Sequence, residues 1–125
     1  MAPHADRVLV IDDEPVVRRV LVRVASTVFA EVEEAADGPS GLARLLSSRN
    51  GLRLAIVDQT LPGLDGIGVI EAARSSGATM PFLLVSGAPL DGVQRRRLAA
   101  CGRWGFLTKP FSPPNLVAAM LELLE

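Results

Sequence analysis

The chain has 125 residues, 49% hydrophobic and 22% charged, with a formal net charge of -1 and one cysteine, Cys101. That length suits one domain that buries a core without disulfide or structural metal, and that charge gives no global attraction to nucleic acid or an anionic membrane, so direct binding to either is not expected. The lone cysteine excludes an internal disulfide, the polar start Met1–Arg7 lacks the apolar core of a signal peptide, and no apolar run is long enough to span a bilayer, so the expected compartment is the cytoplasm.

Short apolar runs alternate with segments of helical period, the pattern of repeated strand–helix–strand units around a parallel sheet. In chain order the spacing predicts a strand at 7–12, a helix at 15–28, a strand at 31–35, a helix at 38–48, a strand at 53–58, a helix at 66–76, a strand at 81–86, a helix at 89–101, a strand at 104–108 and a helix at 113–124. The first, third and fourth strands are continuously apolar, as strands covered on both faces should be. The second, Glu31-Val32-Glu33-Glu34-Ala35, is polar and the fifth is short, so these two are placed at the edges. The fold expected is therefore α/β, a doubly wound five-stranded parallel sheet of order 2-1-3-4-5 with helices on both faces. The expected organisation is a single domain over 1–125, core about 7–124, ending with the fifth helix and no output domain.

Turn chemistry supports these limits. Pro15 suits the first turn of a helix, Asp37-Gly38 and Asp65-Gly66 mark helix starts, and Gly102 suits a helix C-terminus. The first helix carries the stripe Val17, Val20, Leu21, Val24 and Val28, with Val16 and Val22 in addition. The fourth has only an imperfect stripe, Leu90, Val93, Leu98 and Cys101, beside Asp91-Gly92, so little burial is expected to hold it.

Four apolar runs stop at residues able to bind a metal or a phosphoryl group: Val8–Ile11 at Asp12-Asp13, Leu54–Val57 at Asp58, Phe82–Val85 at Ser86, and Phe106-Leu107 at Thr108-Lys109. In parallel strands all four stops share the carboxyl edge, where open α/β sheets bind ligands. Three carboxylates in one crevice call for a cation, and Mg²⁺, a hard ion held by carboxylates, water and phosphate, is the natural choice. Asp13 and Asp58 are the expected direct ligands, with Asp12 acting through water. Asp58 is the candidate nucleophile, since a carboxylate can attack phosphorus to give an acyl phosphate. The hydroxyl of Ser86 and the ammonium of Lys109, the only lysine in the chain, can each take a phosphoryl oxygen. Asp65, before Gly66, reads instead as a helix cap, and His4 as an inert residue of a polar tail.

On these residues the chain resembles the receiver domain of two-component response regulators, from about Arg7 to Leu124. The resemblance rests on Val10-Ile11-Asp12-Asp13-Glu14-Pro15, Val57-Asp58 followed by Leu61-Pro62-Gly63-Leu64-Asp65-Gly66, Val85-Ser86-Gly87-Ala88, and Phe106-Leu107-Thr108-Lys109-Pro110-Phe111. It implies that Asp58 accepts phosphate from a histidine of a sensor kinase or a histidine phosphotransfer protein. It implies Mg²⁺ held by Asp12, Asp13, Asp58 and the backbone carbonyl of Thr60, a cis Lys109-Pro110 bond, and a switch in which Ser86 moves toward the phosphoryl group while Phe106 turns inward. Such a protein catalyses only its own phosphorylation and slow dephosphorylation. Its altered face, the fourth helix, fifth strand and fifth helix, would meet an unknown downstream protein, with Trp104 at the start of that strand. The valines of the first helix would lie on the side where the phosphodonor docks.

Three rivals are weighed on the same residues. An aspartate-nucleophile phosphatase of the haloacid dehalogenase type wants a second acid two residues after its nucleophile, where Asp12 and Asp13 are adjacent and Asp58 precedes Gln59-Thr60. A flavin-binding protein of this topology wants a hydroxyl- and glycine-rich loop where this chain has acids. A receiver-like module that binds partners without phosphorylation would not need the full set of site residues.

Overall fold

A computed structural model describes residues 4–48 and 51–125. Its elements are β1 (His4–Ile11), α1 (Pro15–Ala25), β2 (Phe29–Ala35), α2 (Gly38–Ser48), β3 (Leu52–Asp58), α3 (Gly66–Ser75), β4 (Phe82–Ser86), α4 (Gly92–Ala99), β5 (Trp104–Thr108) and α5 (Pro113–Leu124). All strand pairs are parallel, in the order β2-β1-β3-β4-β5. Both the fold class and the strand order expected from the sequence are met.

Strand alternation divides the core in two. Leu9, Ile11, Ala55, Val57, Phe82 and Leu84 join one buried cluster with Leu45 of α2, Ile67 and Ile70 of α3, and Leu98 of α4. Val8, Val10, Leu54, Ile56, Leu83 and Val85 join the other with Leu21 and Val24 of α1 and Leu116 and Met120 of α5. Successive side chains of a strand point to opposite faces, so a continuous apolar run fills both layers at once. Each fully buried aliphatic side chain of this kind contributes about 1.5–3 kcal/mol relative to exposure.

Several boundaries differ from the sequence reading. Helix α1 ends at Ala25, not at 28, where the Ser26 and Thr27 hydroxyls donate to the carbonyls of Val22 and Val24 and draw off the last turn. Val28 and Phe29 are buried beyond that turn, and β2 begins at Phe29, two residues early. Val20, placed on the core stripe by spacing, is 42% exposed, and Val16 is 73% exposed. Helix α4 is shorter than 89–101, because Asp91 caps it by accepting from the Gln94 N–H while the Gln94 side chain returns to the Asp91 N–H. His4 is the first residue of β1 and pairs with Phe29 rather than lying in a tail, whereas Met1–Pro3 lie outside the described residues. Among the described residues no helix is long and apolar enough to cross a membrane.

The punctuation residues behave as read. Pro15 opens α1, Asp37 accepts from the Ser40 N–H at α2, Asp65 accepts from the Gly68 N–H at α3, and Gly102 takes a φ of 76° after α4.

Candidate functional site

Register brings the strand-end residues together. Ile11 pairs with Val57, so Asp12 and Asp58 follow side by side; Asp58 pairs with Val85, and Ser86 pairs with Thr108, the residue before Lys109. The Lys109 N–H donates to the Ser86 carbonyl at 2.8 Å, and the Gln59 N–H to the Val85 carbonyl at 2.8 Å, tying the ends of β3, β4 and β5. The Lys109-Pro110 peptide is cis.

One oxygen from each of Asp12, Asp13, Glu14 and Asp58 lies within 4.8 Å of the others. Asp12 is fully buried and Asp58 is 3% exposed, while Asp13 and Glu14 are exposed. The backbone of Asp12 is held by its own N–H to the Ala35 carbonyl at 3.1 Å, and its carbonyl accepts from the Arg18 guanidinium at 2.7 Å. Its Oδ1 accepts from the Glu14 N–H at 2.8 Å, and its Oδ2, buried, has no hydrogen-bond partner. Lys109 is the balancing cation, with Nζ 3.2 Å from Asp58 Oδ1, 3.6 Å from Asp12 Oδ2 and 3.7 Å from Glu14 Oε1.

One ammonium does not neutralise four carboxylates. Burial pushes the Asp12 carboxyl above its ordinary value, against the opposing pull of the Glu14 N–H and Lys109. Burial and then the charge of Asp12 push Asp58 up in the same way, again against Lys109. For Lys109, burial acts downward, but the surrounding carboxylates of Asp12, Asp58 and Glu14 outweigh it and hold the ammonium above its ordinary value. An all-oxygen donor set with a buried Asp12 oxygen that accepts no hydrogen bond fits a small hard divalent cation. Glu14 belongs to this cluster although the sequence reading gave it no part. Its position directly after the acidic pair, on the strand-to-helix turn, was the available signal.

The other expected residues lie around this cluster. Ser86 is buried at the end of β4, its hydroxyl accepting from the Ala88 N–H at 3.2 Å. Thr60 is exposed in the loop after β3, beside a depression of about 380 Å³ lined by Gln59, Leu61, Asp65, Ser86 and Ala88 among others. Phe106 and Trp104 are half-buried on β5 and pack against the α2, α3 and α4 side of the core.

An open parallel sheet with acids and a lysine at its carboxyl edge defines a class, and the family model of the response regulator receiver domain matches residues 8–121. The chain belongs to that family, whose members are phosphoaccepting signalling switches of two-component systems and in general not enzymes. Among curated relatives it is 35% identical over 120 residues to the response regulator MprA of Mycolicibacterium vanbaalenii, covering 95% of this chain and 50% of that protein. It is 32% identical over 118 residues to the sensor kinase CckA of Brucella abortus, covering 94% of this chain and 12% of that protein. The chain thus spans half or less of the length of these relatives. Among solved structures, the chemotaxis protein CheY4 of Vibrio cholerae superposes with a TM-score of 0.83 at 28% identity, covering 96% of this chain and 99% of that one.

Proposed function

We propose that Asp58 is the phosphoacceptor of this receiver and that its donor is a phosphohistidine on a sensor kinase or a histidine phosphotransfer protein. An Asp58 carboxylate oxygen attacks phosphorus, the P–N bond to the imidazole breaks, and the electron pair stays on the departing nitrogen. The observation that carries this reading is Asp58, nearly buried at a strand end, with Lys109 Nζ at 3.2 Å and three further carboxylates around it.

Asp12, Asp13, Asp58 and the Thr60 carbonyl would hold Mg²⁺, with Glu14 beside them. When bound, that ion offsets the charge of the acids and of the incoming phosphoryl group and aligns it. Lys109 pairs with one phosphoryl oxygen and the Ser86 hydroxyl donates to another. Lys109 exchanges its contact with Asp58 for the phosphoryl group, whereas the Ser86 hydroxyl, which at present accepts from the Ala88 N–H, still has its own O–H to donate.

Phosphorylation adds about 1.5–2 negative charges. These bias the α4, β5 and α5 face only by their difference in interaction between two packings of it. Phe106, half-buried on β5, is the side chain we assign to follow that change, and a downstream protein reads the face. The donor approaches from α1, where exposed Val16 and Val20 with Pro110 and Phe111 line a groove of about 410 Å³ that reaches Lys109. The reading covers a receiver domain with core about 7–124, acting in the cytoplasm and catalysing no reaction beyond its own phosphorylation and dephosphorylation.

The test is intact mass after incubation with a small phosphodonor, with and without Mg²⁺, for the unsubstituted protein and Asp58→Asn. A single Mg²⁺-dependent phosphoryl adduct, absent from the variant, is expected. Equal modification of Asp58→Asn would refute the assignment.

A further inference from the structure

Gln59 follows the acceptor directly and is half-buried. Its backbone N–H donates to the Val85 carbonyl at 2.8 Å, and its carbonyl accepts from the Gly66 N–H at 3.0 Å. Its side chain reaches forward as well. Oε1 accepts from the Ile67 N–H at 2.9 Å, and Nε2 donates to Asp65 Oδ2 at 3.3 Å. The chain between them, residues 60–65, therefore leaves from Gln59 and is brought back to it. The first N–H groups of α3 are all taken up at this neck: Gly66 by the Gln59 carbonyl, Ile67 by the Gln59 side chain, and Gly68 by Asp65.

The neck is also close-packed. A Cβ at Gly66 would stand 2.5 Å from the Asp58 carbonyl oxygen and 2.9 Å from Gln59 Cα, so the start of α3 abuts the acceptor's own backbone. A plain helix cap needs only one acceptor oxygen, which Asp65 supplies. A second side chain, reaching back from the residue between Asp58 and Thr60, fixes both of those positions relative to α3.

We infer that Gln59 is a positioning residue of the site, its side chain closing the 60–65 loop and thereby setting how tightly the acid cluster and the Thr60 carbonyl take a divalent cation. This rests on the metal reading above. Gln59 touches neither cation nor phosphoryl group; it acts through the backbone on either side of it. Losing an outer partner of a metal ligand typically weakens metal affinity about 10–100-fold. Two backbone bonds at the neck survive side-chain removal, so a smaller loss, roughly threefold to tenfold, is expected here.

The experiment is calorimetric titration of MgCl₂ into the full chain, without phosphodonor, for the unsubstituted protein, Gln59→Met, Gln59→Asn and Asp91→Ala. Gln59→Met keeps the length and removes both polar atoms; Gln59→Asn keeps the amide but is one methylene too short for the Ile67 N–H. Asp91→Ala removes the cap of α4 and serves as a control for general loss of stability. Weaker Mg²⁺ binding in the Gln59 variants, with Asp91→Ala like the unsubstituted protein, is expected. Unchanged affinity in a folded Gln59 variant, or an equal loss in Asp91→Ala, would overturn the inference. Absence of Mg²⁺ binding by the unsubstituted protein would instead overturn the metal reading, and the inference with it.

Discussion

Lys109 Nζ lies 3.2 Å from Asp58 Oδ1 although Asp58 ends β3 and Lys109 follows β5, strands that are not neighbours and have β4 between them. The lysine spans the end of β4, where its own backbone N–H is held by the Ser86 carbonyl, so acceptor, hydroxyl and ammonium form one linked edge. On the proposed function, this edge is the expected route by which a change of charge at Asp58 reaches β5.

Lys109→Ala breaks that link. Two buried carboxylates lose their cation, and in metal-free protein the cost is expected to be about 1–3 kcal/mol, limited because a buried acid can take up a proton instead of staying charged. Phosphorylation is expected to change α4 hydrogen exchange in the unsubstituted protein, and phosphorylated Lys109→Ala is expected to lose that change. A full response in the variant would show that the signal leaves Asp58 by another route.

The buried acids also set a pH dependence in metal-free protein. Asp12 and Asp58 are both raised above the ordinary value of 3.8, chiefly by burial. A raised folded-state pKa contributes stability below the unfolded value that is lost as pH rises through the folded one. With chelator present, the contribution of these two groups to stability is expected to fall as pH rises above 3.8. Asp58→Asn should remove part of that loss, melting higher than the unsubstituted protein at pH 7, with the gap closing as pH falls toward 3.8. A variant melting below the unsubstituted protein at pH 7 without metal would contradict the sign.

The sheet and most of this edge were legible because continuous apolar runs mark parallel strands, and parallel strands put their ends together. Asp12, Asp13, Asp58, Ser86 and Lys109 could be grouped from strand ends alone. What was not legible depends on partners far along the chain. Val28 reads as the last residue of the helix stripe and Phe29 as lying outside the strand, since apolar spacing does not tell a helix end from a strand start; the hydroxyls of Ser26 and Thr27 decide it. Arg74 looks like a surface arginine, yet its guanidinium donates to the carbonyls of Cys101, Ala78 and Arg103 and lies over the Phe82 ring. The bridging role of Gln59 needs the position of α3, which no local pattern supplies.

Gly66 offers a steric test of the same edge. A Cβ there would meet the Asp58 carbonyl oxygen at 2.5 Å and Leu84 Cδ1 at 2.8 Å, and the first of these is backbone that cannot swing away. Gly66→Ala is therefore expected to cost about 1–3 kcal/mol by overpacking, despite alanine's better helix propensity. Part of the strain should fall on Asp58, the proposed acceptor, and slow its phosphorylation by a small phosphodonor. A variant as stable and as fast as the unsubstituted protein would mean that α3 can withdraw from Asp58 without cost.

Helix α4 is held by more than its weak apolar stripe. Leu98 is buried and Val93 is 57% exposed, as an imperfect stripe implies. In addition, the Arg97 guanidinium grips Glu71 of α3 through two bonds, of 2.5 and 3.0 Å. That hydrogen bonding holds the Glu71 carboxyl below its ordinary value, so its stabilisation is present above the unfolded pKa and lost as pH falls through the folded one. Both side chains are 39% exposed, and solvent screening limits the pair to under about 1 kcal/mol of global stability. Its larger effect should be local, because it joins the helix expected to move to one that abuts Asp58. Glu71→Gln is expected to leave the melting temperature within about 3 °C of the unsubstituted protein while speeding amide exchange across 92–99. Unchanged exchange in α4 would show that Leu98 and the flanking Leu90 and Cys101 hold the helix without the ion pair.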